Sequence, residues 1–289
     1  MNDAPRRRTA GAAVARENAA EAAPPPRSRA GLGAVAVLLV AAGVGAAVWP
    51  RVAALVAGRD EAILVPTAIE LRGKAPWVKA DIRAEALRAS SLDQPLPLHD
   101  PELPVRLARA FDMHPWVRRV VRVDVRHPAA ATVEVECREP VAMVGVDGGL
   151  LAVDAEGHVL PSADFTAESA AGYPRLTGIV SSPQGPEGAL WGDAAVEEGA
   201  TLARVIGQEW AALGLVECRP VSTDPQPGVG RAWELVDGEG RVIRFGSAPG
   251  RESAGEPTAA AKVARLQTLG AGGDRGSAID LSVAGGTGS

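Results

Sequence analysis

The spacing of apolar and polar positions divides this chain into segments of different period. From Gly31 to Trp49 nineteen residues pass without a charge. A helix of that length spans about 28 Å, close to the roughly 30 Å hydrocarbon core of a bilayer. Val35, Val37, Leu38, Leu39, Val40, Val44 and Val48 supply apolar bulk, Trp49 stands at interface depth, and Pro50 and Arg51 close the run. This pattern predicts a transmembrane helix over 31–49. A cleaved signal peptide is the alternative, but the leader is long and the apolar run exceeds the usual signal core.

Beyond the run the period falls to two. From Ile63 to Leu71, Val65, Thr67, Ile69 and Leu71 alternate with Pro66, Ala68, Glu70 and Arg72, which predicts a half-buried strand with Pro66 at an edge or a start. Val78, Ile82, Ala86 and Ala89 predict a helix over 78–89. Asp100 then offers an N-cap before Pro101, and Leu103, Leu107, Ala110 and Phe111 recur on one helical face. Val121, Val123 and Val125 alternate with Arg122, Asp124 and Arg126. After a His127–Ala130 turn, Val133, Val135 and Cys137 alternate with Glu134, Glu136 and Arg138: a hairpin with a charged outer face.

The same reasoning continues to the C-terminus. Leu150–Val153 and His158–Leu160 flank an acidic, Gly-ended turn and predict a hairpin. Asp193 can cap a helix whose core face is Val196, Ala200, Ala203, Ile206, Trp210 and Leu213. Trp233–Leu235 and Ile243–Phe245 flank Asp237–Gly240 as another hairpin. Ala259, Val263 and Leu266 mark a helix stopped by Gly270. In a last strand Ile279, Leu281 and Val283 alternate with Asp280 and Ser282.

The length of 289 residues suits about two domains. Hydrophobic residues at 46% and charged residues at 22% are enough for a packed core. The net charge of −5 is unevenly spread. Residues 1–30 hold six arginines against three acids, and 143–289 hold ten basic against nineteen acidic side chains. The basic leader predicts a cytoplasmic N-terminus, with everything past Pro50 outside the cytoplasm. Ala19–Pro26 reads as a disordered tether within the tail. There is no basic domain to hold nucleic acid. Cys137 and Cys218, placed in different regions, read as two free thiols rather than a bridge.

Catalytic and cofactor signatures are missing from the sequence. There is no Gly-x-x-x-x-Gly-Lys-Ser/Thr, no His-Glu-x-x-His and no Gly-x-Ser-x-Gly. The Gly270–Gly276 run follows a helix and precedes a strand, the reverse of a phosphate cradle. The four histidines have no metal-ligand spacing. Asp154/Glu156 and Asp237/Glu239 stand in hairpin turns, where Asp and Gly serve the backbone. The expectation is a non-enzymatic protein with no catalytic, cofactor-binding or metal-binding residues and no small-molecule substrate.

One resemblance adds to this. His114-Pro115-Trp116-Val117, Val121-Arg122-Val123, His127-Pro128 and Val133-Glu134-Val135-Glu136-Cys137-Arg138-Glu139-Pro140-Val141-Ala142 resemble the FtsQ/DivIB family of bacterial cell-division proteins. Leu150–Leu160, Tyr173–Gly178, Lys262 and Ile279-Asp280-Leu281 resemble later steps of the same family. Cys137-Arg138-Glu139-Pro140 departs in detail from the family's Glu-Arg-x-Pro, and His127 stands where it tends to have Trp. The resemblance implies an α+β fold: a cytoplasmic tail (1–30), a single transmembrane helix (31–49), a βααββ POTRA domain (60–142) and a second mixed α/β domain on an extended β-sheet (143–285). It implies a single-pass scaffold in the inner membrane, enriched at the division septum, which meets FtsB/FtsL-like partners. The contact would be β-strand addition at Ser277, Ala278, Ile279, Asp280, Leu281, Ser282 and Val283, and the acidic second domain would suit a basic segment. The rival expectation is a POTRA-containing envelope chaperone or transport-associated protein with no part in division.

Overall fold

The computed structural model describes residues 29–57, 62–207, 209–221, 231–272 and 279–283. Residues 1–28 of the basic tail lie outside them, as do Ser277 and Ala278. The chain divides into two compact units, the second beginning at Leu55.

Helix α1 runs Arg29–Ala57, its last three residues counted in the second unit, and continues through Pro50, where the sequence predicts an end. Proline removes one helical donor, and the next residue, Arg51, donates through Nη1 to the carbonyl of Ala47 at 3.1 Å. Among the described residues no helix is long and apolar enough to cross a membrane. The described side chains of α1 begin at Leu38, partway along the stretch predicted to span.

The second unit is mixed α/β. It opens with β1 (Ile63–Leu64), β2 (Ile69–Arg72), α2 (Ile82–Ala89), β3 (Leu96–Pro97), α3 (Leu103–Asp112), β4 (Val117–Arg126) and β5 (Ala130–Cys137). Strand β2 lies parallel to β5, and β5 lies antiparallel to β4, in a three-stranded sheet ordered β2-β5-β4. The single strand expected over 63–71 is broken. Pro66–Ala68 form a 3-10 turn, closed by the Ala68 amide on Val65 O at 2.9 Å. The break leaves Val65 and Thr67 exposed while Leu64 and Ile69 are buried. Helix α2 begins at Ile82 because Asp81 caps it, accepting from the Ala84 amide, and Val78 is buried in the preceding loop. Asp100 caps the turn before α3 rather than the helix itself, whose N-cap is Glu102. In β4 two register shifts move the half-buried positions to Val120, Val123 and Val125, and Val121 faces out.

The remaining strands are β6 (Pro140–Val146), β7 (Gly149–Asp154), β8 (Arg175–Leu176), β9 (Leu215–Pro220), β10 (Ala232–Asp237), β11 (Val242–Ser247) and β12 (Ile279–Asp280). Helices α4 (Ala167–Ala171), α5 (Ala194–Ile206), α6 (Glu209–Ala212) and α7 (Ala259–Gly272) join them. The strands form one mixed sheet ordered β12-β11-β10-β9-β8-β6-β7. The hairpin partner of β7 is β6, and His158–Leu160 add isolated bridges, Val159 to Val153 and His158 to Leu190. Asp193 caps α5 as predicted, but the chain turns at Gly207, so Trp210 belongs to the separate α6. Helix α7 passes Gly270 to end at Gly272.

Alternation along β6 and β7 places their two faces in two cores. Ala142, Val144 and Val153 pack with Val196, Ala200, Trp233 and Phe245. Met143 and Ala152 point the other way, into the core of Ile82, Leu103, Phe111 and Trp116. Polar ties cross the same junction. The Asp164 carboxylate accepts the Lys79 and Ala80 amides, both at 3.2 Å, and Trp77 Nε1 donates to Arg138 O at 2.9 Å. On the opposite face a Cβ at residue 199 would lie 2.8 Å from the Trp233 ring, so glycine there lets α5 settle on the indole.

Candidate interaction site at the sheet edge

Strand β12 is the last strand of the seven-stranded sheet, and among the described residues it pairs only with β11, in parallel. The Leu281 amide donates to Arg244 O at 2.8 Å. In a parallel ladder this turns the Asp280 amide and carbonyl away from β11, toward the open side. The strand is shorter than its alternation predicts. Asp280 Oδ1 accepts the Ser282 amide at 2.8 Å and the Ser282 hydroxyl at 2.6 Å, which bends the chain just after Asp280. Ile279 and Leu281 therefore pack against the core, whereas Val283, expected on the same face, is 56% exposed.

The outward groups of β12 are not a bare row. Arg265, on α7, donates through Nη1 to Asp280 O at 3.1 Å and to Val283 O at 3.0 Å. Sequence periodicity gives no hint of this contact, because Arg265 falls fifteen residues before Asp280 and off the apolar stripe of its helix.

What holds β11 in place is a buried ion pair. Lys262 Nζ lies 2.6 Å from Glu256 Oε1, donates to Ser247 O at 3.1 Å and stands 4.6 Å from the centroid of the Phe245 ring. Glu256 also accepts the amides of Ser247 and Ser253. Burial acts to raise the Glu256 pKa, but Lys262 and these donors outweigh it and hold the carboxyl down to about 2. Gly246 makes the arrangement possible. Its φ is +85°, and a Cβ there would overlap the Glu256 carboxylate and lie 2.7 Å from Ser282 Cβ. A glycine inside an otherwise alternating strand was the available signal for this close approach.

Polar and titratable groups also gather away from the edge. Asp154, Glu156 and His158 bring ligand-type atoms within 4.8 Å of one another. The Asp154 carboxylate is already engaged: Oδ1 accepts the Glu156 and His158 amides, and Oδ2 meets Arg138 Nη1 at 2.7 Å. The guanidinium puts a fixed positive charge where a cation would bind. Asp237 repeats the device, accepting the Glu239 and Arg241 amides and the Arg241 side chain; burial acts to raise its pKa, and these donors bring it down. A groove of about 310 Å³ beside Trp210 has Glu139 and Arg204 as its charged lining groups. Both thiols are free, Cys218 buried and Cys137 half-buried, and burial pushes the pKa of each up.

No family model matches this chain, and no curated protein matches it.

Proposed function

We propose that this protein is a membrane-anchored, non-enzymatic scaffold of the bacterial divisome, of the FtsQ/DivIB type. It gathers septal cell-wall synthesis proteins by accepting a partner strand at the β12 edge. The observation that supports the reading is the sheet order, in which Ile279–Asp280 form the rim strand, with no partner on its outer side among the described residues. An edge strand offers main-chain donors and acceptors to an extended segment, and the partner's side chains supply selectivity. Strand addition here exchanges the Arg265 bond to Asp280 O for a partner amide.

The rest of the chain supports this reading. Apart from the two-residue strands β1 and β3, which pair with each other, the order is β2-α2-α3-β4-β5 with β2 parallel to β5, as in the βααββ POTRA unit the resemblance implies. Residues 31–49 lie within α1 and, in this reading, anchor the chain in the inner membrane with the basic tail in the cytoplasm.

The test is the position of an N-terminal fluorescent fusion, expressed at native level in dividing source cells. The expected result is a band at the division site before constriction, with filamentation on depletion. An even outline around the cell, with envelope-protein defects and normal division, overturns the division role and favours the POTRA-containing transport reading.

A further inference from the structure

The outer face of the seven-stranded sheet carries a row of charges in register across four neighbouring strands. Arg219 on β9 stands opposite Glu234 on β10, Glu234 opposite Arg244 on β11, and Arg244 opposite Asp280 on β12. The signs alternate from Arg219 to Asp280. Arg219 Nε meets Glu234 Oε2 at 3.2 Å. The flanking residues Cys218, Trp233, Leu235, Ile243, Phe245 and Leu281 are all buried on the opposite, helix-covered face. The four charges thus share the other face, which no helix covers among the described residues.

In-register residues on adjacent strands sit side by side, so each inner charge of this row has an opposite charge on both flanks. Asp280 has one on the β11 side alone. Its Oδ1 is used by Ser282, and Oδ2 takes no bond among the described residues. Arg265 approaches from the helix side and binds the main-chain carbonyl rather than the carboxylate.

Resting on the strand addition proposed above, we infer that this edge selects an extended segment carrying Lys or Arg opposite Asp280. A basic side chain there continues the alternation as a fifth rung. An acidic one meets like charge, which is destabilising when directly opposed. The same rule works against a second copy of this chain, since pairing two β12 strands about a two-fold axis at Asp280 sets carboxylate against carboxylate. The excess of acidic over basic residues in 143–289 adds a longer-range attraction for a basic segment.

The test uses the full chain in detergent micelles and two short fluorescein-labelled peptides of alternating Thr and Val, one with Lys and one with Glu at the same central position. Fluorescence anisotropy should show the Lys peptide binding about two- to fivefold more tightly. Asp280→Asn keeps the acceptor for Ser282 and should level the two peptides. Asp280→Lys, its fold checked by near-ultraviolet circular dichroism, should reverse the preference. Equal binding of both peptides to the native chain overturns the charge rule and leaves strand addition standing. Binding of neither peptide, or binding unchanged by Leu281→Pro, overturns strand addition and the charge rule together. A native dimer that Leu281→Pro dissociates places a second copy on the edge and overturns the inference.

Discussion

The Leu281 amide donates to the carbonyl oxygen of Arg244 at 2.8 Å, across the parallel junction of β11 and β12. That bond faces the last described strand inward and turns Asp280 outward. Proline at 281 has no amide hydrogen to donate, while the core beneath β11 rests on Phe245, Trp233 and Leu235. Leu281→Pro should therefore abolish partner or peptide binding at the edge. Far-ultraviolet circular dichroism should remain near native, because only the two-residue β12 is lost.

Gly246→Ala should weaken the same region from the other side. The added methyl meets the Glu256 carboxylate and Ser282 at a backbone angle that favours glycine. The expected loss is about 1–3 kcal/mol, read as a lower urea midpoint with the slope unchanged.

Lys262 has no exposed side-chain surface, and Glu256 supplies its counter-charge. Glu256→Gln should cost about 3–5 kcal/mol, because it strands a buried ammonium. Adding Lys262→Met should recover much of that loss. If the double variant is no more stable than Glu256→Gln alone, the ammonium is not the source of the penalty.

The same carboxyl fixes a pH dependence. Its pKa is about 2 in the folded chain against an ordinary 4.5, so the unfolded chain binds the proton more readily. The stabilisation is complete above about pH 4.5 and fades as pH falls toward 2. Urea midpoints measured from pH 6 downward should drop through that window in the native chain. In Glu256→Gln the drop should be smaller.

The two thiols should differ in access. Iodoacetamide under native conditions should modify Cys137 slowly, in keeping with burial raising its pKa, and should leave Cys218 intact until urea is added. Rapid native labelling of Cys218 would mean that the helices covering β9 lift from the sheet.

Where one face of an element meets water, its pattern was legible. Trp233, Leu235, Ile243 and Phe245 alternate with polar residues and are buried as the alternation predicts, and Leu103, Leu107, Ala110 and Phe111 form the core stripe of α3. Strand β6 escaped notice because both its faces are covered, so Pro140–Val146 shows a continuous apolar run without alternation. The local register of β4 was also hidden, since its bulges shift the inward residue from Val121 to Val120 without any change in composition. At the edge, the closing strand could be read from Ile279 and Leu281, but its neighbours could not. Which strand lies beside β12, and that Arg265 reaches its carbonyls, depend on how distant segments come together.

The sharing of β6 and β7 between two cores has a consequence for inheritance. Exchange of whole segments between related genes works best where a cut leaves each side with a complete interior. A cut at 142/143 would instead strip Met143 and Ala152 from the core around Trp116. It would also separate Ala142 from the sheet it completes. Such a chain cannot readily trade its front half for a relative's, so variation at this junction is confined to compensated substitutions, while the loops remain free to change in length.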